Sequence, residues 1–103
     1  MVSLSTVACC AMVVPPNMWF HQHFNSGTAP ARYLAFKHAT SRNAQGVPLS
    51  WISRRLGGMQ IDYADEDPQV RRMFAEALTR HALKPRMDEV YEAERATLPP
   101  KAA

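Results

Sequence analysis

The chain has 103 residues, of which 47% are hydrophobic and 20% are charged. A chain of this length forms one domain at most, and this hydrophobic content excludes wholesale disorder. The net charge of +3 comes from twelve scattered lysines and arginines, of which only those at positions 54–55 and 71–72 are adjacent. Because nucleic-acid binding needs several converging cations, the sequence predicts no nucleic-acid partner.

The first element is an uncharged, mostly apolar run over residues 2–14. Its composition favours a strand, which Pro15 and Pro16 would end because proline cannot donate to a sheet ladder. The run is too short to span a membrane, and it lacks a positive leading region and an A-x-A cleavage site. The two cysteines, Cys9 and Cys10, are neighbours and cannot tie distant segments together, which is typical of the reducing cytosol. We therefore expect a cytoplasmic protein with no membrane segment.

The aromatic segment from Met18 to Phe24 predicts a second strand. In an extended strand successive side chains point to opposite faces, so His21 and His23 would share one face. A cluster of turn residues over 25–30 connects this strand to a third, over residues 31–38. The two strands would form a hairpin with both histidines on one side.

The segment 39–48 is polar and predicts an exposed loop, whose far end Trp51 and Ile52 would anchor to the core. The glycine pair at positions 57–58 then opens a fourth short strand over residues 59–63. The sequence therefore predicts about four strands in all.

After these strands the hydrophobic period changes from 2 to 3.6, which indicates helices. Asp67 is a natural N-cap and Pro68 a natural first helical residue. One stripe at helical spacing contains Val70, Met73, Phe74, Ala77, Leu78, His81 and Ala82. Pro85 starts a second, more charged helix, which would lie on the surface.

These elements predict an α+β fold, because the apolar stripe of the first helix needs the upstream strands as its partner. Residues 1–64 would hold the strands and residues 65–97 the helices. Residues 98–103, with two prolines and terminal alanines, would form a flexible tail.

The paired histidines indicate a metal site, because neutral imidazole is the commonest metal ligand. Fe, Mn, Ni or Zn needs three or four nitrogen, sulfur or oxygen ligands. His21 and His23 would supply two, and His38 could supply a third if the hairpin register brings it close. The alternative for His21 is structural, with the ring packed among aromatic neighbours and one nitrogen hydrogen-bonded. His81 lies on the helical stripe, where a packing role is the stronger expectation.

The spacing around His21 also resembles a known family. Pro16 lies five residues before it and Asn25 four after, which is similar to the second cupin motif, P-x-G-x-x-H-x-x-x-N, with Met18 in place of the glycine. Flanking segments within residues 30–68 resemble the C-terminal part of bacterial single-domain cupins. The first cupin motif, H-x-H followed by a glutamate, has no complete match.

The resemblance implies part of an antiparallel cupin β-barrel followed by two helices, with His21 as a metal ligand. Complete cupins use a divalent metal for dioxygenase or isomerase chemistry, or bind small molecules. We therefore expect a cupin-like metal-binding protein, incomplete as written, with a small-molecule ligand.

Two further hypotheses stay open. One is a non-catalytic interaction or oligomerisation module, a homodimer, in which a second copy covers the open edge of the sheet. The other is an incomplete gene product that does not accumulate as folded protein, because the first motif is missing. No Ser-His-Asp or Cys-His arrangement is legible from the spacing, so enzymatic activity is left open, leaning against it.

Overall fold

The structure is a computed structural model that describes residues 11–37 and 39–101. Most of the first predicted strand lies outside the described residues. The described chain divides into two compact units. The first comprises the residues up to Ala31 together with Pro68–Lys84, and the second comprises Arg32–Asp67 together with the residues from Pro85 onward.

The described part of the chain contains no β-strand and no sheet. Its β pairings are two isolated bridges, an antiparallel one between Arg42 and Pro48 and a parallel one between Ser53 and Gln60. The predicted α+β fold with a partial cupin β-barrel is therefore wrong. The regular structure consists of short 3-10 turns and two α-helices.

The predicted second strand is interrupted where it should begin. The backbone N–H of Trp19 donates to the carbonyl oxygen of Pro16 at 3.2 Å, and Met18 has a φ of 65°. This left-handed φ turns the chain instead of extending it. Strand composition alone does not hold a segment in a sheet, because a strand needs neighbours that satisfy its backbone groups.

The first helix, α1, spans Pro68–Thr79 and begins at the proline that the sequence predicts as its first residue. Its two buried residues, Ala77 and Leu78, lie on the predicted apolar stripe. Phe74 on the same stripe packs against Phe24, with ring centroids 4.6 Å apart and planes inclined by 31°. The predicted helix is confirmed, and the residue that contacts its stripe comes from an irregular segment.

The C-terminal end of α1 forms a Schellman motif. The N–H of Ala82 donates to the carbonyl oxygen of Thr79 at 3.0 Å, and the N–H of Leu83 donates to that of Leu78 at 3.1 Å. This cap requires a left-handed residue, which is usually glycine. Here Ala82 occupies that position with a φ of 54°. The helix therefore stops before His81, which is exposed rather than packed on the stripe.

In the second unit, the side chain of Asn43 organises the segment that the sequence predicts as a polar loop. Its Oδ1 accepts hydrogen bonds from the N–H groups of Gln45 at 3.0 Å and Val47 at 2.9 Å. Its own N–H donates to the carbonyl oxygen of Val47 at 2.9 Å, and Gly46 has a φ of 78°. The side chain thus supplies an acceptor for amides that a longer helix or sheet would otherwise satisfy.

Three single 3-10 turns follow, at Leu49–Trp51, Arg54–Leu56 and Tyr63–Asp65. Gly57 does not open a strand; it ends the second turn in the left-handed conformation, with a φ of 81°. Gly58 then passes close to the preceding turn. The fourth strand predicted over the following residues is absent from the described structure.

The second helix, α2, spans Asp88–Thr97 and begins later than predicted. Its Tyr91 ring meets Tyr63 edge to face, with centroids 5.5 Å apart. The carboxylate of Glu94 accepts from the backbone N–H groups of Tyr63 at 3.0 Å and Ala64 at 3.1 Å. These contacts attach α2 to the start of the third 3-10 turn, so a residue expected on an exposed helix acts as a cap for a distant segment.

Candidate functional site

The predicted histidine pair is close together and exposed. The ring centroids of His21 and His23 lie 5.4 Å apart, with the planes inclined by 74°, and both residues are exposed to solvent. Nδ1 of His21 lies 3.3 Å from the carbonyl oxygen of Trp19, and donates to it in the tautomer that carries the proton on Nδ1. His38 lies outside the described residues. The two rings are therefore neighbours on an irregular segment and do not line a barrel.

Among residues 11–37 and 39–101, no group of three or more His, Cys, Asp or Glu side chains is placed to hold a metal ion. Transition metals need three or four such ligands. The prediction of a metal-binding cupin barrel is therefore wrong for the described chain. The individual assignments of His21 and His23 as ligands stay predictions that the structure does not test.

Arg55 connects distant parts of the second unit. Its Nε donates to Oδ2 of Asp65 at 2.6 Å and its Nη2 donates to Oδ1 at 2.8 Å. Its Nη1 donates to the carbonyl oxygen of Pro99 at 2.6 Å. Nζ of Lys101 lies 2.9 Å from Oδ1 of the same aspartate. The planar guanidinium matches a carboxylate in this two-bond geometry, which favours arginine over lysine here.

The charges of this pair stabilise one another. The side chains of Arg55 and Asp65 are 15% and 21% exposed, so solvent screens them only partly. Hydrogen bonds from Arg55, and then from Lys101, hold the pKa of Asp65 well below its ordinary value. The hydrogen bond to Asp65 correspondingly raises the pKa of Arg55. Asp65 is therefore ionised at every pH near neutrality.

A second carboxylate, Asp62, is buried beside this pair and is 8% exposed. The Oγ of Ser53 donates to it. Oγ of Ser53 also accepts a hydrogen bond from the backbone N–H of Arg55 at 3.0 Å, and so caps the second 3-10 turn. A buried carboxylate without a partner would be strongly destabilising, and the serine provides that partner.

The sequence did not indicate this polar cluster. Asp65 stands in the sequence among acidic residues just before α1, where the helix dipole alone would account for them. Arg55 was one of two adjacent arginines among twelve basic residues. Its partners lie 10 and 44 positions away, a separation at which charge pattern alone does not specify pairing. The local signal is Ser53, a natural N-cap two residues before the arginine.

Large apolar side chains are exposed on the second unit. Leu34 is 80% and Phe36 is 92% exposed, and Trp51, which the sequence predicts as a core anchor, is 73% exposed. Leu56 on the second 3-10 turn is 66% exposed. Isolated exposed hydrophobic residues are normal, but two of these lie in one short segment, residues 32–37.

The charged residues at the two ends of segment 32–37 are both basic. It begins with Arg32 and ends with Lys37, both exposed. The exposed charged residues of α2 are three acidic residues and one basic residue, Arg95, and Val90 on the same helix is 43% exposed. The exposed acidic residues of α2 are Asp88, Glu89 and Glu92. The second unit therefore presents a basic apolar segment and a helix whose exposed charges are acidic on balance.

No family model matches this chain, and neither a curated protein nor a solved structure matches it. These comparisons neither support nor contradict the resemblance to the cupins. Across the described residues, no helix is long and apolar enough to cross a membrane.

Proposed function

We propose that this protein is a non-catalytic self-association module, in which a second copy of the chain covers the apolar segment at residues 32–37. The observation that carries the proposal is the exposure of Phe36, at 92%, next to that of Leu34, at 80%. Apolar surface held in water is unfavourable, and a partner that removes it from water gains that free energy. The cytosol is the compartment we propose, on the ground that the neighbouring Cys9 and Cys10 cannot tie distant segments together.

The expected affinity is modest. Full burial of a Leu or Phe side chain is worth about 1.5–3 kcal/mol. A symmetric dimer buries each of the two residues twice, for a total of roughly 6–12 kcal/mol, against an association cost of about 4–15 kcal/mol. The apolar residues alone therefore support weak pairing, and charge complementarity must supply the orientation and part of the affinity.

The surface of the second copy that fits this segment is α2. Arg32 and Lys37 at the ends of the segment are basic, whereas the exposed residues of α2 carry a net negative charge and include the apolar Val90. In a two-fold dimer the same contact occurs twice, with the segment of each copy on α2 of the other. Like charges would oppose the alternative in which two copies of the segment pair with each other.

Light scattering coupled to size exclusion, over a series of protein concentrations, tests the proposal. The wild-type chain should approach twice its 11.6 kDa mass as its concentration rises. The double variant Leu34→Ser, Phe36→Ser should remain at the monomer mass. Leu56→Ser is the matched control, because it removes a similarly exposed residue of the same unit outside the segment, and it should associate as the wild type does. A wild-type monomer at every concentration would overturn the proposal.

A charge exchange tests the choice of α2. Lys37→Glu and Glu92→Lys should each weaken association, and the two together should restore it. Glu92 is preferred to the two acidic residues in the first turn of α2, because those also stabilise the helix through its dipole. If the double exchange associates no better than the single variants, α2 is not the surface that covers the segment.

A further inference from the structure

A depression in the second unit lies beside the Arg55 cluster and is independent of the proposed dimer surface. Its volume is about 340 Å³, which is sufficient for a small molecule. The residues that line it are Arg54, Arg55, Ile61, Asp62, Asp65 and Lys101. Three of these side chains are cationic and two are anionic, so the lining carries one net positive charge.

Both carboxylates in the lining are already hydrogen-bonded within the cluster. Asp62 accepts from the Oγ of Ser53. Asp65 accepts two hydrogen bonds from Arg55 and is paired with Lys101. Arg55 and Lys101 offset the negative charge of Asp65, whereas Ser53 is neutral and leaves the charge of Asp62 in place. The lining as a whole still keeps one net positive charge, which attracts an anion.

Arg55 and Lys101, in contrast, keep donor capacity. A guanidinium has five N–H donors and an ammonium has three. Arg55 uses three of its donors on Asp65 and Pro99, and Lys101 directs one toward Asp65. The other N–H groups of both residues belong to side chains that border the depression. Oxyanions accept hydrogen bonds from such groups at short distance and with high strength.

We propose that this depression binds a small oxyanion, the phosphate or carboxylate group of a small molecule. Arg55, held by Asp65 and Pro99, provides a fixed edge of N–H donors. Arg54 and Lys101, which also line the depression, contribute positive charge, and Ile61 offers an apolar contact for the carbon skeleton attached to the anion. The C-terminal residues Pro99 and Lys101 are part of this site.

Calorimetric titration of the full chain, with inorganic phosphate and with succinate as separate probes, tests the proposal. Saturable binding of at least one probe at one site per chain is expected. Arg54→Gln and Lys101→Gln should each weaken it by about tenfold or more, the effect of losing a hydrogen bond to a charged group. Lys84→Gln is the control, since it removes one exposed positive charge outside both the depression and the proposed dimer surface, and it should leave the affinity within about twofold. Circular dichroism should show that all three variants keep the wild-type helix content.

The two probes show whether the depression binds a phosphate group or a carboxylate group. Binding of phosphate alone identifies a phosphate group, and binding of succinate alone identifies a carboxylate. Two results would overturn the proposal: no saturable binding of either probe, or binding that all three variants weaken equally, which would indicate an adventitious ion only, attracted by net charge.

Discussion

Gly58 is the position where a single added methyl group should be most damaging. A Cβ built there would lie 2.0 Å from the carbonyl oxygen of Ile52 and 2.4 Å from its carbonyl carbon. Both atoms are backbone, so no side chain can rotate away. Ordinary contact between such atoms needs about 3.5 Å, so Gly58→Ala requires the two backbone segments to separate by roughly 1.5 Å.

That separation would break the hydrogen bonds that fold the chain back at this point. The N–H of Gly58 donates to the carbonyl oxygen of Ser53, and the N–H of Gln60 donates to that of Ile52, each at 2.9 Å. Each bond contributes about 0.5–1.5 kcal/mol, and the remaining steric strain costs about 1–3 kcal/mol. We expect Gly58→Ala to lower the free energy of unfolding by about 2–6 kcal/mol, a large part of the stability of a small protein.

Urea unfolding followed by circular dichroism measures this loss. Gly57→Ala is the matched control, because a Cβ at Gly57 meets no atom within 4 Å. Its φ of 81° makes alanine strained, at a cost of about 1–2 kcal/mol. The order of stability should be wild type, then Gly57→Ala, then Gly58→Ala. If Gly58→Ala is as stable as the wild type, the close approach to Ile52 does not exist.

Two other substitutions test the helix cap and the ion pair. Ala82→Gly should raise the free energy of unfolding by about 0.5–1 kcal/mol, because glycine adopts the left-handed conformation without strain; Ala93→Gly, inside α2, should lower it by about 1 kcal/mol in the same urea experiment. A destabilised Ala82→Gly variant would contradict the cap geometry. Asp65→Asn should be less stable than the wild type at pH 7. Because the folded pKa of Asp65 is depressed, its contribution is complete above the unfolded pKa of about 4 and is lost as the pH falls toward the folded value. Urea midpoints of the two proteins should therefore converge in acid, and a difference that does not change with pH would refute the pairing with Arg55.

The part of the fold that the sequence predicts well is α1, because its signals are local. Pro68 fixes the first turn, and the stripe that contains Ala77 and Leu78 repeats every three to four residues. The strand predictions depend instead on partners elsewhere in the chain. Residues 18–24 have the composition of a strand. A segment of this kind forms a strand only where other strands pair with it, and its own sequence does not provide them.

The polar cluster shows a second limit of prediction from sequence. Glu94 was expected on the exposed side of a charged helix, and its carboxylate instead accepts from two amides about thirty positions earlier. A charged residue at a helix surface forms such contacts only when a specific backbone turn lies beside it. The sequence predicts the helix that carries Glu94, whereas the position of that turn depends on the folded unit. His21 and His23 are close together, with ring centroids 5.4 Å apart, although the segment that carries them belongs to no sheet in the described part of the chain.

The hydrogen bond from Arg55 to Pro99 has a consequence for the order of events during synthesis. Residues 53–65 leave the ribosome well before Glu94, Pro99 and Lys101, which hold them in place. Until those later residues emerge, Asp62 and Asp65 can form hydrogen bonds with Ser53 and Arg55. The contacts from α2 and from the segment after it are not yet present. The contacts of residues 53–65 in this unit therefore stay incomplete until Glu94, Pro99 and Lys101 have left the ribosome.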